Sequence, residues 1–408
     1  MRELSYPKNK INVLLLEKVD KIAFDLFKEE GYNVESMDGS LNEKDLIKKI
    51  KDVSILGIRS KTIISDKVIK SANKLLAIGA FCIGTNQIKF ESCNDSGIVV
   101  FNAPYSNTRS VVEIVIAQII NLMRKIVIKS NKMHSGVWRK DSLDSFEIRN
   151  KVIGIVGYGN IGSQLSVICE ALGMKVLYYD IVDKLSIGNA KKCKSLIDLL
   201  KNSDIVSLHV DGKKSNTNLI SDKEFSIMKE KSILVNYSRG NVVDIDSLIK
   251  NIKSKKLMGA ALDVFPEEPS NNKEKFKSKV KGIEEIILSP HIGGSTKEAQ
   301  KNIGSYVPDK IIDFINSGNT SSSVNFPKLS LPEQSDSHRL IHIHKNQPGV
   351  MLKINKIISE YNINIKGQYL KTNEEIGYVI TDIDSVYNKE VVKSLKNIPA
   401  TIKLRVLY

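Results

Sequence analysis

The sequence predicts an α/β protein: two Rossmann-like, doubly wound parallel-sheet domains followed by a small ferredoxin-like βαββαβ module. Three observations carry that expectation. From Ile11 to about residue 290, short β-branched runs alternate with amphipathic helical stretches, the pattern left by parallel sheets with crossover helices. The second such series opens with a glycine-rich turn directly after a strand, Gly157-Tyr158-Gly159-Asn160-Ile161-Gly162. Beyond about residue 337 the order changes to strand, helix, strand, strand, helix, strand.

In the first series Ile11–Leu16, Val53–Ile58, Leu75–Gly79 and Ile98–Phe101 read as strands, each separated by one helical segment. One long helix is expected from about Asn107 to Met133, capped by Ser106, Asn107 or Thr108 and joining the two domains. The second series reads as strands at Val152–Val156, Lys175–Tyr179, Ile205–Val210, Ile233–Asn236, Gly259–Val264 and Ile286–Leu288, with a further helix from about Ser295 to Ile315. Ser317 to Ser337, rich in Ser, Asn and Pro, has the composition of a linker. The terminal module reads as strand Leu340–His344, helix Pro348–Tyr361, strands Ile363–Leu370 and Gly377–Ile383, helix Lys389–Asn397 and strand Thr401–Val406. Val350, Ile354, Ile357, Ile358 and Tyr361 fall on one face of its first helix, facing the sheet.

A chain of 408 residues, 41% hydrophobic and 26% charged, is of ordinary globular composition and has room for roughly two to four domains. Its longest apolar stretch, Val111 to Ile128, is interrupted by Glu113, Gln118, Asn121, Arg124 and Lys125, so no membrane span is expected. The first residues lack the form of a secretory signal, and a cytoplasmic location is expected. Cys82, Cys93, Cys169 and Cys193 follow no metal-ligand spacing and are read as free thiols. The net charge of +15 comes from lysines spread along the whole chain, since only nine of the 61 basic residues are arginine. No basic block carries interleaved aromatics, so an anionic small molecule is expected as partner and nucleic acid is not.

The glycine turn sits where a dinucleotide site needs it. Gly157 permits the tight turn, Gly159 lets backbone approach a pyrophosphate, and Gly162 lets helix and strand pack closely, with the helix N-terminus facing the phosphates. The next strand ends at Asp180, whose carboxylate can accept from both ribose hydroxyls and repel a 2′-phosphate. NAD is therefore expected rather than NADP.

Three later strands end in reactive residue types: Ser238-Arg239-Gly240, Asp263 to Glu268-Pro269, and Pro290-His291-Ile292-Gly293-Gly294. Carboxyl ends of strands in an open parallel sheet converge on one crevice, so residues distant in sequence can meet. The types suit oxidation of a 2-hydroxy acid. A guanidinium at Arg239 can hold a carboxylate bidentately and polarise the neighbouring carbonyl oxygen. An imidazole at His291 can take the hydroxyl proton as hydride leaves, and a carboxylate at Glu268 can orient it and stabilise the imidazolium. Singly, each has an ordinary structural reading, as ion pair, turn acid or loop histidine.

These motifs, with Asn236-Tyr237-Ser238-Arg239-Gly240, Asp263-Val264-Phe265-Pro266-Glu267-Glu268-Pro269 and Ser289-Pro290-His291-Ile292-Gly293-Gly294, resemble the D-isomer-specific 2-hydroxyacid dehydrogenases. The likeness extends over nearly the whole chain to the serine-biosynthetic branch carrying a C-terminal ACT domain. It includes Gly57-Ile58-Arg59-Ser60, Gly84-Thr85-Asn86, Phe101-Asn102-Ala103-Pro104, Ser106-Asn107-Thr108-Arg109-Ser110-Val111 and His342-Ile343-His344-Lys345-Asn346-Gln347-Pro348-Gly349-Val350. The resemblance implies that Arg239, Glu268 and His291 are catalytic. It implies that Gly157, Gly159, Asn160, Ile161, Gly162, Asp180, Tyr237, Ser238, Arg239, Asp263, His291, Ile292, Gly293 and Gly294 line the NAD site. It also implies a substrate domain of residues 1–105 and 295–330, a nucleotide domain inserted at 106–294, and an ACT domain at 337–408. Arg59, Ser60 and Asn107 would face the substrate, 3-phospho-D-glycerate. His344, Asn346 and Asn364 would bind an L-serine effector that inhibits by feedback, in a homotetramer paired through nucleotide and ACT domains. Two positions depart from the pattern: Tyr237 stands where the family usually has a small residue, and Asn160 where histidine is common. Tyr237 is expected to alter NAD affinity slightly and leave the chemistry intact. The alternatives are a sibling enzyme acting on glycerate, hydroxypyruvate or 2-oxoglutarate, and a non-catalytic NAD-sensing corepressor.

Overall fold

The computed structural model describes residues 7–269, 273–332, 337–384 and 389–407. The first six residues and 333–336 of the expected linker lie outside these. Two compact units divide the chain: Met1–Ser106 with Gln300–Tyr408, and Asn107–Ala299.

In the first unit β1 (Asn12–Leu15), β2 (Asn33–Ser36), β3 (Ile55–Ile58), β4 (Ala77–Ala80) and β5 (Val99–Asn102) form a parallel sheet of order β2-β1-β3-β4-β5. β3, β4 and β5 are buried along their whole length, as helices on both faces require. Sequence reading misses β2 because its Asn-Val-Glu-Ser run has no buried residue; an edge strand needs no apolar signature. The helix Lys297–Ser317 returns to this sheet, packing Val307 and Ile311 over Gly79 and Phe314 against Phe101.

The long helix expected from residue 107 is two helices, Thr108–Arg124 and Ile126–His134, separated by Lys125 at a φ of 52°. The apolar stripe of Val111, Val115, Ile119 and Leu122 is buried, whereas the second segment buries nothing. No packing holds the two on one axis.

In the second unit β6 (Val152–Val156), β7 (Lys175–Tyr179), β8 (Lys191–Lys192), β9 (Ile205–Leu208), β10 (Ser232–Asn236), β11 (Leu257–Leu262) and β12 (Ile286–Leu288) form a sheet ordered β12-β11-β10-β9-β6-β7-β8. Every pair is parallel. The strand order reverses at β6 and β9, the switch point at which doubly wound sheets bind ligands.

The terminal module holds β13 (His338–Lys345), β14 (Ile365–Thr372), β15 (Ile376–Ile383) and β16 (Thr401–Leu407), antiparallel in the order β14-β15-β13-β16. Helices Val350–Glu360 and Lys389–Lys396 cover one face with Val350, Ile354, Ile358, Val391 and Leu395. The opposite face is not free: Ile341, Ile343, Tyr378 and Ile380 share one core with Phe101, Phe314 and Phe326. The segment read as a linker is likewise packed over its described part. Thr320, Ser323 and Asn325 are buried; Asn325 Nδ2 donates to the Ile98 carbonyl, and Thr320 Oγ1 donates to the Pro327 carbonyl. Its polar composition reflects internal hydrogen bonding, which composition alone does not separate from solvation. No helix among the described residues is long and apolar enough to cross a membrane, and they contain no cluster of metal-ligating side chains.

Candidate active site

The glycine turn at the end of β6 has the shape its spacing implies. Gly157 takes a φ of 92°, and a Cβ there would lie 2.5 Å from the His209 carbonyl oxygen. A Cβ on Gly162 would meet the Gly157 carbonyl at 2.2 Å, whereas one on Gly159 would meet nothing within 4 Å. Gly157 and Gly162 are therefore required by the protein's own packing, and Gly159 leaves open space over the turn. The helix Asn160–Ala171 starts there without a side-chain cap, so its first N–H groups are left for an anion. At the end of β7, Asp180 accepts from the Tyr158 N–H at 2.7 Å and the Val182 N–H at 2.9 Å. Each oxygen keeps a further lone pair for a ribose hydroxyl. Beneath the turn Tyr158 stacks on Tyr178 at 3.8 Å between ring centroids. Asn160 and Ile161 open the helix, at the expected edge of the turn. These features fit a dinucleotide.

The reactive types meet beyond the carboxyl ends of β10, β11 and β12. His291 Nδ1 lies 2.7 Å from Glu268 Oε2. The other Glu268 oxygen accepts from the Phe265 N–H at 3.1 Å, fixing the carboxylate. Gly240 brings the arginine turn against this segment, since a Cβ there would lie 2.0 Å from the Phe265 carbonyl. Arg239, whose Nη1 donates to the Ser238 carbonyl at 2.7 Å, acts electrostatically on both Glu268 and His291. Burial works to raise the Glu268 carboxyl, but the hydrogen bond and charge of His291, the Phe265 N–H and Arg239 outweigh it, and the group sits below its ordinary range. The hydrogen bond to Glu268 raises His291, with the Glu268 and Asp263 charges adding, against burial and Arg239. An imidazole so held carries a proton readily at Nε2 while its Nδ1–H is committed to the carboxylate.

Asp263 lies one residue past β11 and is buried. Its oxygens accept from the Ile292 N–H at 2.9 Å, the Gly293 N–H at 2.7 Å and the Ser289 hydroxyl at 2.5 Å. Ser289 opens the Ser289-Pro290-His291-Ile292-Gly293-Gly294 motif; its bond to Asp263 emerges from the fold. Tyr237 places its hydroxyl 3.0 Å from Ser289 Oγ, and its ring sets the floor under Gly293, where a Cβ would come within 3.2 Å. Burial pushes the Tyr237 phenol up to about 12, the Asp263 charge adding, so it stays protonated at working pH. Ser238 is buried, with its hydroxyl on Asn236 Oδ1. Asn107 precedes Thr108–Arg124 and lies against Gly294, where a Cβ would come within 2.1 Å of Nδ2; its Oδ1 is buried without a partner.

Arg59 and Ser60 follow β3 in the first unit, with the Arg59 carbonyl held by Gln87 Nε2 at 2.7 Å. The expected effector residues do not come together within one chain. His344 is buried in β13, with Nδ1 on the Lys345 carbonyl and Nε2 unpartnered, and Asn346 Nδ2 donates to the Asn373 carbonyl nearby. Asn364 precedes β14, whose Ile365 pairs with Ile383, whereas His344 pairs with Gly377. That six-residue offset corresponds to about 20 Å along the strands.

Residues 116–293 match the family described as D-isomer specific 2-hydroxyacid dehydrogenase, NAD binding domain, and residues 340–403 match the AHAS small subunit-like ACT domain. The D-3-phosphoglycerate dehydrogenase of Dictyostelium discoideum is 49% identical over 99% of this chain and 99% of its own length. The one from Escherichia coli K12 is 47% identical over 100% of both. Among solved structures, D-lactate dehydrogenase with NAD⁺ from Lactobacillus jensenii aligns at a TM-score of 0.67 and 27% identity, over 77% of this chain and 99% of that one.

Proposed function

This chain belongs to the D-isomer-specific 2-hydroxyacid dehydrogenases, in the D-3-phosphoglycerate dehydrogenase branch with a C-terminal ACT domain, and on that premise we propose how its residues act. It is an NAD-dependent oxidoreductase that converts 3-phospho-D-glycerate to 3-phosphohydroxypyruvate, the first step toward L-serine. The single observation that carries the mechanism is the 2.7 Å contact of His291 Nδ1 with Glu268, in the field of Arg239.

Bound NAD⁺ supplies the hydride acceptor, held at Gly157–Gly162, Asp180, Asp263 and the stretch His291–Gly294. Arg239 grips the substrate carboxylate bidentately and fixes the hydroxyl-bearing carbon. His291 Nε2 takes the hydroxyl proton during oxidation and returns it during reduction, while Glu268 steadies the imidazolium. Arg59 and Ser60 hold the substrate phosphate, the guanidinium suiting a phosphate better than an ammonium would, and the free Asn107 Oδ1 accepts from the substrate or the cofactor.

The test is an NADH-linked assay with phosphohydroxypyruvate, set against hydroxypyruvate and 2-oxoglutarate. A kcat/KM that does not depend on the phosphate would assign the chain to a sibling activity. Retention of physiological function by His291→Asn would favour an NAD sensor instead.

The ACT domain supplies the regulation. With Asn364 about 20 Å from His344 and Asn346 in one chain, an L-serine site using all three draws them from two copies paired through their ACT domains, within a homotetramer. Serine inhibits by binding the less active state more tightly. Sedimentation and a serine titration of the initial rate test this part separately.

A further inference from the structure

The turn that carries His291 is strained. His291 takes a φ of 54°, in the left-handed region that non-glycine residues occupy uncommonly and at some cost in backbone strain. Its own N–H bonds the Ser289 carbonyl at 3.1 Å, and the next two N–H groups both end on Asp263. The Asp263 carboxylate is therefore the clamp on this turn, and its own position becomes the question. Behind it Ser289 Oγ donates at 2.5 Å, and Tyr237 reaches Ser289 at 3.0 Å.

The direction of these bonds follows from proton counting. A carboxylate only accepts, so Ser289 spends its single proton on Asp263 and must receive from Tyr237. All donors run one way, toward a buried carboxylate that already holds two backbone N–H groups. Such fully satisfied buried networks rigidify what they support.

We propose that Ser289 and Tyr237 are positioning residues: a one-way hydrogen-bond relay, Tyr237 to Ser289 to Asp263, that locks the His291 turn in register with Glu268. The inference rests on the assignment of His291 as the acid/base group. It also gives Tyr237 a task beyond filling space near the cofactor. Glu268, Asp263 and Arg239 are the charged groups that act on the imidazole, and loosening the turn weakens the two anionic contacts that favour its protonated form.

The experiment combines Ser289→Ala, Ser289→Thr and Tyr237→Phe in the full-length enzyme. Steady-state kinetics are measured together with the His291 titration followed by histidine-ring NMR in cofactor-free protein. Ser289→Ala is expected to lower kcat five- to twenty-fold, change the substrate KM less than two-fold, and move the His291 titration at least half a pH unit downward. Ser289→Thr, which keeps the hydroxyl, is expected to restore both. Tyr237→Phe is expected to move both in the same direction by a smaller amount.

A wild-type titration and kcat in Ser289→Ala overturn the relay, as does equal impairment of the alanine and threonine variants. If Ser289→Ala does not fold, unchanged behaviour of Tyr237→Phe overturns it. Inactivity of the wild-type enzyme toward phosphohydroxypyruvate would refute the assigned reaction instead, leaving the titration to judge the relay by itself.

Discussion

Between His291 and Glu268 a hydrogen bond pushes the imidazole up and helps hold the carboxyl down against burial. Oxidation by the route proposed for His291 needs its neutral imidazole, and Glu268 raises His291 above its ordinary value. The oxidative kcat is therefore expected to climb with pH and level off only above pH 6.5, the ordinary histidine value. Glu268→Gln removes the hydrogen bond's charge, so the inflection should move to lower pH while the plateau falls. A pH profile that keeps its wild-type inflection would contradict the pairing. His291→Asn is expected to reduce kcat by about 10²–10⁴-fold, the range for losing a positioned acid/base, with NADH binding retained by fluorescence titration. The residue types of this pair were readable in sequence because motif spacing placed them after strands of a parallel sheet. Ser289 stands in the same motif, but nothing in a serine before a proline announces which carboxylate it will meet.

At the next scale the glycine turn separates two kinds of requirement. A methyl on Gly162 collides with backbone, whereas Gly159 has an extended φ of −83° and open space around it. Gly159→Ala is expected to leave the melting temperature of the cofactor-free protein within about 2 °C of wild type, while NAD affinity drops ten-fold or more because the methyl occupies the pyrophosphate's approach. Gly162→Ala should lower both. In the terminal module Arg339 bonds Asp382 through Nε and Nη2 at 2.8 and 3.0 Å, both side chains buried, with Nη1 on the Ser317 carbonyl. Arg339→Met strands a buried carboxylate and should cost about 3–5 kcal/mol; the double variant with Asp382→Leu should recover much of it in urea unfolding. The module's strands were legible to within two residues at each end because short strand-like runs alternate there with helix-like ones. The edge strand β2 and the break at Lys125 were not, because both depend on what fails to pack against them.

For the whole chain, the ACT sheet and the N-terminal parallel sheet share a core. Phe314 and Phe326 pack with Ile341, Ile343, Tyr378 and Ile380, Tyr378 donates to the Gly318 carbonyl, and Lys403 Nζ donates to the Leu75 carbonyl. A chain ending after Leu331 would expose those aromatic faces, each worth about 1.5–3 kcal/mol when buried. It is expected to melt at least 10 °C lower and to bind a hydrophobic dye, whereas a tethered independent module would be lost without either change.

Fold class, the glycine turn after β6 and the residue types that meet at Arg239, Glu268 and His291 could be read from the sequence, because local periodicity and strand-end motifs are short-range properties. Tertiary structure alone decided that the supposed linker is packed, that the terminal sheet closes a shared core, and that Asn364 stands a strand's length from His344. It also decided which hydroxyls brace the His291 turn. Those outcomes depend on contacts between segments far apart along the chain, and neither composition nor spacing encodes which distant partner a polar side chain will find.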